Sequence, residues 1–122
     1  MEIESGKPKV LVIEDNILLS DSLYIVLGDD FDVTIASDGN AAMSLIYHNS
    51  YDAILCDILL PDKNGRDIFK FIKHIKPHLL NRLVFTSGGP VEDLDFVSGI
   101  PYIPKPYGGK QIKNFLNNII YN

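Results

Sequence analysis

Short, wholly apolar runs that stop abruptly at polar residues recur along this chain, and they constrain its fold more than any other feature. Val10-Leu11-Val12-Ile13 follows Pro8 and ends in Glu14-Asp15-Asn16. A strand with one wet face would alternate apolar and polar residues, so an unbroken β-branched run implies a strand covered on both faces. Ala53-Ile54-Leu55-Cys56 before Asp57 repeats the pattern, and Leu83-Val84-Phe85 before Thr86 repeats it again. Between these runs the apolar spacing becomes helical. Leu19, Leu23, Val26 and Leu27 share a face after Asn16, Ala42, Leu45 and Ile46 after Asp38, and Ile68, Phe71, Ile72 and Ile75 after Asn64, with Pro77 closing that helix. Ile112, Phe115, Leu116, Ile119 and Ile120 follow the same period opposite Lys110, Lys113, Asn114 and Asn117. A strand over residues 31–36 and a very short one at Tyr102-Ile103 complete a strand-helix alternation repeated five times.

Such alternation with short connections makes an α/β domain, a five-stranded parallel sheet with five helices on its two faces, because each crossover is right-handed and must cover the sheet. At 122 residues there is room for one domain. Residues 1–7, polar and carrying Gly6, form a lead-in, and residues 8–122 form the domain. Cys56 is the sole cysteine, which excludes an intramolecular disulfide and a thiolate zinc cage and fits a reducing compartment. The net charge of −5 argues against a direct nucleic-acid or anionic-membrane surface. No charged segment leads into an apolar stretch at the start, and no run of about 18 or more apolar residues occurs, so a cytoplasmic protein that does not insert into a membrane is expected.

In a doubly wound sheet the ligand site lies beyond the carboxyl ends of the strands. Those ends are polar throughout: Glu14-Asp15, Asp57, Thr86-Ser87 and Lys105-Pro106. Three carboxylates in one crevice repel strongly, at about 4 kcal/mol for a pair ~4 Å apart at an effective dielectric of ~20. A cation must hold them. Oxygen donors without imidazole or thiolate suit a hard divalent ion, and Mg²⁺ keeps waters that a phosphate can replace. Lys105 supplies the remaining positive charge.

Taken together, Glu14-Asp15, Asp57-Ile58-Leu59-Leu60-Pro61 with Gly65 downstream, Thr86-Ser87-Gly88 and Tyr102-Ile103-Pro104-Lys105-Pro106 resemble the receiver domain of two-component response regulators. The likeness covers nearly the whole chain. It implies a flavodoxin-like fold with strand order 2-1-3-4-5. It implies that Asp57 is a phosphoacceptor, attacking the phosphoryl group of a phosphohistidine on a histidine kinase or a histidine phosphotransfer protein. Glu14, Asp15, Asp57 and the backbone carbonyl of Leu59 would hold Mg²⁺, and Thr86 and Lys105 would take phosphoryl oxygens. Phosphoryl transfer is catalysed largely by alignment and charge neutralisation, which these groups provide. The resemblance further implies a switch in which Thr86 moves inward and Tyr102 rotates from exposed to buried. That motion would reshape the face of the fourth helix, fifth strand and last helix, which in the family carries homodimer or output contacts.

The chain departs from the family pattern at a few places. Leu60 stands where methionine is frequent, Tyr107 where phenylalanine usually follows the Lys-Pro pair, and Ser87 where a small apolar residue is usual. Gly88, Gly89, Pro90, Gly99 and Pro101 crowd the segment before Lys105, so a brief fourth helix is expected around residues 91–97. The Lys105-Pro106 bond is a candidate cis peptide. Leu59 and Gly88, two residues beyond Asp57 and Thr86, cannot orient a water through their side chains, so the phosphorylated form is expected not to be short-lived. His48, His74 and His78 lack metal-ligand spacing and read as surface residues, as do Lys63, Arg66, Lys70, Lys73, Lys76 and Arg82. One rival is a small Mg²⁺-dependent phosphohydrolase with Asp57 as nucleophile, but it would want a second acid where Leu59 stands. Another is a degenerate receiver acting only as a binding module, but neither Asp57, Lys105 nor the acidic pair is missing.

Overall fold

The computed structural model describes residues 6–88 and 99–121. Strand β1 (Lys9–Ile13) leads into α1 (Ile17–Leu27), β2 (Asp32–Ala36), α2 (Gly39–His48), β3 (Ala53–Asp57) and α3 (Gly65–Ile75). A 3-10 turn (Pro77–Arg82), β4 (Leu83–Ser87), β5 (Tyr102–Pro104) and α4 (Gly109–Tyr121) follow. The five strands form one sheet in the order β2-β1-β3-β4-β5, and every neighbouring pair is parallel. This is the doubly wound, flavodoxin-like arrangement, with its change of winding direction between β1 and β3. Four of the five expected helices lie among the described residues. The one expected around residues 91–97, and residues 1–5 of the lead-in, lie outside them.

Alternate residues of each apolar run feed two separate cores. Leu11, Ile13, Ile54, Cys56, Leu83 and Phe85 pack beneath α2 and α3 with Ala42, Ile46, Ile68 and Ile72. Val10, Val12, Ala53, Leu55 and Val84 pack on the opposite face beneath α1 and α4 with Leu23, Leu27, Ile112 and Leu116. The unbroken runs are therefore the signature of a sheet with two dry faces. The helix starts are set by side chains that accept first-turn amides: Asn16 from Leu19, Asp38 from Ala41 and Asn64 from Asp67. Asp67 completes a capping box by accepting the Asn64 amide at 2.9 Å.

Pro77 ends α3 as expected, and the chain continues as a 3-10 turn in which Leu79 is buried. Two sequence expectations need correction. Ile75, grouped with Ile72 by periodicity, is 37% exposed as the last residue of α3 and belongs to neither core. Arg82 is half-buried rather than a solvated basic residue, and its guanidinium donates to the Ile120 carbonyl at 3.0 Å at the carboxyl end of α4. The three histidines are exposed, as expected. Among the described residues no helix is long and apolar enough to cross a membrane.

The unequal burial on α3 sets two mutational outcomes. Ile72→Ala opens a cavity in the core and is expected to cost about 2–5 kcal/mol of unfolding free energy. Ile75→Ala removes a partly hydrated side chain and should cost under about 1 kcal/mol. Denaturant unfolding of the two variants checks the ranking.

Candidate functional site

The carboxyl ends of β1 and β3 are neighbours, so the residues just past Ile13 and Cys56 are brought together by strand register alone. The amide of Glu14 still donates to the Ala36 carbonyl at 2.9 Å, which prolongs the β1–β2 ladder by one rung and turns the Glu14 side chain inward. Glu14 and Asp57 are 2% and 6% exposed, whereas Asp15 faces solvent. Glu14, Asp15 and Asp57 each place a carboxylate oxygen within 4.8 Å of the others. The three acidic positions marked by the sequence thus form one cluster.

Lys105 enters this cluster from the loop after β5. Its Nζ donates to Glu14 Oε1 at 2.5 Å and to Asp57 Oδ2 at 2.9 Å. The loop is tethered by the Lys105 amide, which donates to the Ser87 carbonyl at 3.0 Å, and the Lys105-Pro106 bond is cis, as the sequence suggested. The remaining oxygens are also engaged. The Asn16 amide donates to Glu14 Oε2 at 3.1 Å, and the Leu59 amide donates to Asp57 Oδ1 at 3.0 Å. One ammonium and two backbone amides therefore offset two buried carboxylates.

The electrostatics follow from that count. Burial pushes the Glu14 carboxyl above its usual range, opposed by the Lys105 and Asn16 hydrogen bonds and reinforced by the Asp57 charge. Burial alone would lower the Lys105 ammonium, but its hydrogen bonds to Glu14 and Asp57 outweigh that and raise it. Cys56 is raised by complete burial and by the neighbouring charges of Asp57 and Glu14, so it remains a thiol inside β3.

Thr86 lies beside Asp57 in the β3–β4 register. Its hydroxyl is buried and, among the described residues, has no hydrogen-bond partner. Tyr102 sits opposite Phe85 on the outer strand β5, half-buried, with its hydroxyl donating to the Ser87 carbonyl at 3.4 Å. This differs from an exposed side chain awaiting inward rotation, because the ring already packs against the α2–α3 core. Tyr107 carries a second buried hydroxyl without a partner among the described residues, and burial pushes its phenol up to about 12. The Leu59 side chain is 61% exposed beside the cluster.

Two structural contributors were not visible as site residues in the sequence. Asn16 supplies an amide to Glu14 while its side chain caps α1, and its position between an acidic pair and a helical run was the available signal. Asp62 accepts from the amides of Gly39 and Asn40 at 2.7 and 2.9 Å. That contact spans more than twenty residues of chain and leaves no local trace.

Lys105 is the charge on which the carboxylates depend. A raised Glu14 value means that the native state binds a proton more readily than the unfolded chain, so stability falls as pH climbs above 4.5 towards the raised value. Replacing Lys105 by methionine pushes Glu14 further up, which widens that window and deepens the fall. Lys105→Met in metal-free buffer is expected to lose about 3 kcal/mol at neutral pH and to recover part of it on acidification. Denaturant midpoints from about pH 4 to 8 test this, and a profile parallel to that of the unmodified protein contradicts it.

Comparison with known proteins gives the family. Residues 10–117 match the family model of the response regulator receiver domain. The chain is 29% identical over 119 residues to a probable transcriptional regulator, ycf29, of Pyropia yezoensis, covering 92% of this chain and 53% of that protein. It is 31% identical over 110 residues to the transcriptional regulatory protein CpxR of Klebsiella pneumoniae, covering 85% of this chain and 45% of that one. The chain thus spans about half the length of the curated relatives it matches. Among solved structures, the receiver domain of sensor histidine kinase PA1611 from Pseudomonas aeruginosa superposes with a TM-score of 0.85 at 21% identity, covering 96% of this chain and all of that one. That structure has a magnesium ion coordinated in its active-site cleft. At this identity the superposition speaks for the fold, while the family match spans both ends of the carboxylate cluster and Lys105. The chain belongs to the response regulator receiver domain family.

Proposed function

We propose that this domain accepts a phosphoryl group on Asp57 from a phosphohistidine of a histidine kinase or histidine phosphotransfer protein. The observation that carries the proposal is the Lys105 bridge between Glu14 and Asp57 in a pocket of three carboxylates at neighbouring strand ends. In the transfer, an Asp57 oxygen forms a bond to phosphorus as the phosphorus–nitrogen bond breaks, and the donor imidazole leaves with the bonding electrons. A carboxylate nucleophile needs no general base for this step. Lys105 is placed to neutralise one phosphoryl oxygen. The Thr86 hydroxyl, beside Asp57 in the sheet and without a partner among the described residues, is suited to donate to another. Engagement of Thr86 would draw it towards the phosphoryl group and disturb the packing of Tyr102, whose hydroxyl rests on the adjacent Ser87 carbonyl.

The donor set fits Mg²⁺: the clustered atoms are carboxylate oxygens, and the nearby Cys56 is buried as a thiol whose Sγ donates to the Asp57 carbonyl. Glu14, Asp15, Asp57 and the Leu59 carbonyl are the residues that would hold it. When bound, the ion supplies charge neutralisation for the phosphoryl oxygens and alignment with Asp57. The one chemistry ascribed to the domain is its own aspartyl phosphorylation and dephosphorylation, so it is not an enzyme acting on other molecules. The phosphohydrolase alternative would want an acid at position 59, and Leu59 stands there.

For the partner, α1 leaves Ile17, Leu18, Tyr24 and Ile25 exposed. Ile17 and Leu18 follow the acidic pair after the single capping residue Asn16, and they offer an apolar surface to a helical phosphodonor. Output is assigned to a partner or a further domain acting through the face of β5 and α4, with homodimerisation as one route. The net charge of −5 supports a reading in which any nucleic-acid contact falls to a further domain, and action in the cytoplasm is part of the same proposal.

Incubation with Mg²⁺ and acetyl phosphate, followed by intact-mass measurement, tests the proposal. The unmodified protein should gain the mass of one phosphoryl group, and Asp57→Asn should gain none. No gain in the former, or equal gain in both, refutes the assignment. Because neither Leu59 nor Gly88 can orient an attacking water, the label should survive removal of the donor with Mg²⁺ present.

A further inference from the structure

The loop between β3 and α3 carries the Leu59 peptide, and it is tightly folded. The Leu60 amide donates to the Lys63 carbonyl at 3.1 Å, the Gly65 amide donates to the Ile58 carbonyl at 2.7 Å, and Leu59 and Asn64 form an antiparallel bridge. Its tip reaches across to α2. Asp62 accepts from the Gly39 amide through Oδ1 at 2.7 Å and from the Asn40 amide through Oδ2 at 2.9 Å. The backbone of Gly39 is approached so closely that an added Cβ would lie 2.4 Å from Lys63 Cβ, so glycine there is a condition of the contact. The Gly39 hydrogen bond holds the Asp62 carboxyl below its usual range.

Helix α2 does not need this carboxylate as its cap. Asp38 already accepts the Ala41 amide at 2.7 Å from within the helix's own chain. Asn40 is exposed, so water could take its amide, whereas Gly39 is buried against Lys63 of the loop, and the Asp62 contacts therefore tie the loop to the helix end as well as capping it. Pro61 on one side and the Leu60–Lys63 hydrogen bond on the other give that loop few ways to absorb a release of its tip.

We infer that Asp62 is a positioning residue for the Asp57 site: by clamping the β3–α3 loop to the first turn of α2, it fixes the Leu59 peptide. The Leu59 amide then stays on Asp57 Oδ1, and its carbonyl stays where it can face a cation. This rests on the proposal that Asp57 is the phosphoacceptor and that the Leu59 carbonyl is a metal ligand. The same clamp mechanically joins the reacting carboxylate to the amino end of α2.

The experiment compares Asp62→Ala, Asp62→Asn and Asp38→Ala with the unmodified protein, first without metal. Amide hydrogen exchange at Leu59 is expected to speed up by about tenfold in Asp62→Ala and to stay within about twofold in Asp38→Ala, which weakens the same helix end without touching the loop. Asp62→Asn keeps one acceptor oxygen and should fall between them. Calorimetric titration with Mg²⁺ alone should then give about tenfold weaker binding for Asp62→Ala, with Asp38→Ala unchanged. Unaltered Leu59 exchange in Asp62→Ala, or equal effects in Asp38→Ala, overturns the inference. The exchange comparison requires no phosphorylation, so a chain that takes up no phosphoryl group defeats the Asp57 proposal while the Asp62 clamp is still judged on exchange.

Discussion

One ammonium between two buried carboxylates holds the functional end of this molecule together. Lys105 lies within hydrogen-bond distance of both Glu14 and Asp57, and without it the two acids would face one another across a largely dry crevice. At an effective dielectric of ~20, a pair of like charges ~4 Å apart costs about 4 kcal/mol, a large fraction of the stability of an ordinary domain. The arrangement is also chemically poised. An ion pair that neutralises a carboxylate cluster can be redistributed when a doubly charged phosphoryl group and a divalent cation arrive, because every acceptor involved is oxygen and every donor is already in place.

The sheet exists, in functional terms, to bring those groups to one edge. Parallel pairing of β1 with β3 and of β3 with β4 sets Glu14, Asp57 and Thr86 at the carboxyl ends of adjacent strands, and β5 delivers Lys105 one strand further out. Because both faces of β1, β3 and β4 are covered, the strands have little freedom to tilt or slip, and the site inherits that rigidity. Among the described residues, three contacts tie the loops around the site: the Lys105 amide on the Ser87 carbonyl, the Ile58 amide on the Thr86 carbonyl, and the Asp62 carboxylate on the first-turn amides of α2. In the proposed function, a change at Asp57 would pass outward through Thr86 and Ser87 towards Tyr102, and through Leu59 and Asp62 towards α2.

Much of this was legible in the residues because the relevant signals are local. The apolar runs gave the strands, and Asn16, Asp38 and Asn64 marked the three helix starts at which they act as caps. The acids and the lysine were legible because strand ends are where a doubly wound sheet binds. Other features stayed hidden for physical reasons. Ile75 obeys helical periodicity, yet as the last residue of α3 it belongs to neither core. Arg82 looks like any surface cation until the carboxyl end of α4 folds against it. The Asp62 contact depends on two segments meeting in space, and the Thr86 and Tyr107 hydroxyls, without partners among the described residues, depend on what surrounds them, which no single-residue preference records.

Of the three clustered carboxylates, Asp57 is the one proposed to react. Borohydride reduction of the protein after treatment with Mg²⁺ and acetyl phosphate converts an acyl phosphate to the corresponding alcohol and marks its position permanently for peptide mapping. Homoserine is expected at position 57, with Glu14 and Asp15 unmodified. Reduction product at position 14 or 15, or none at all in protein that is folded, would contradict it.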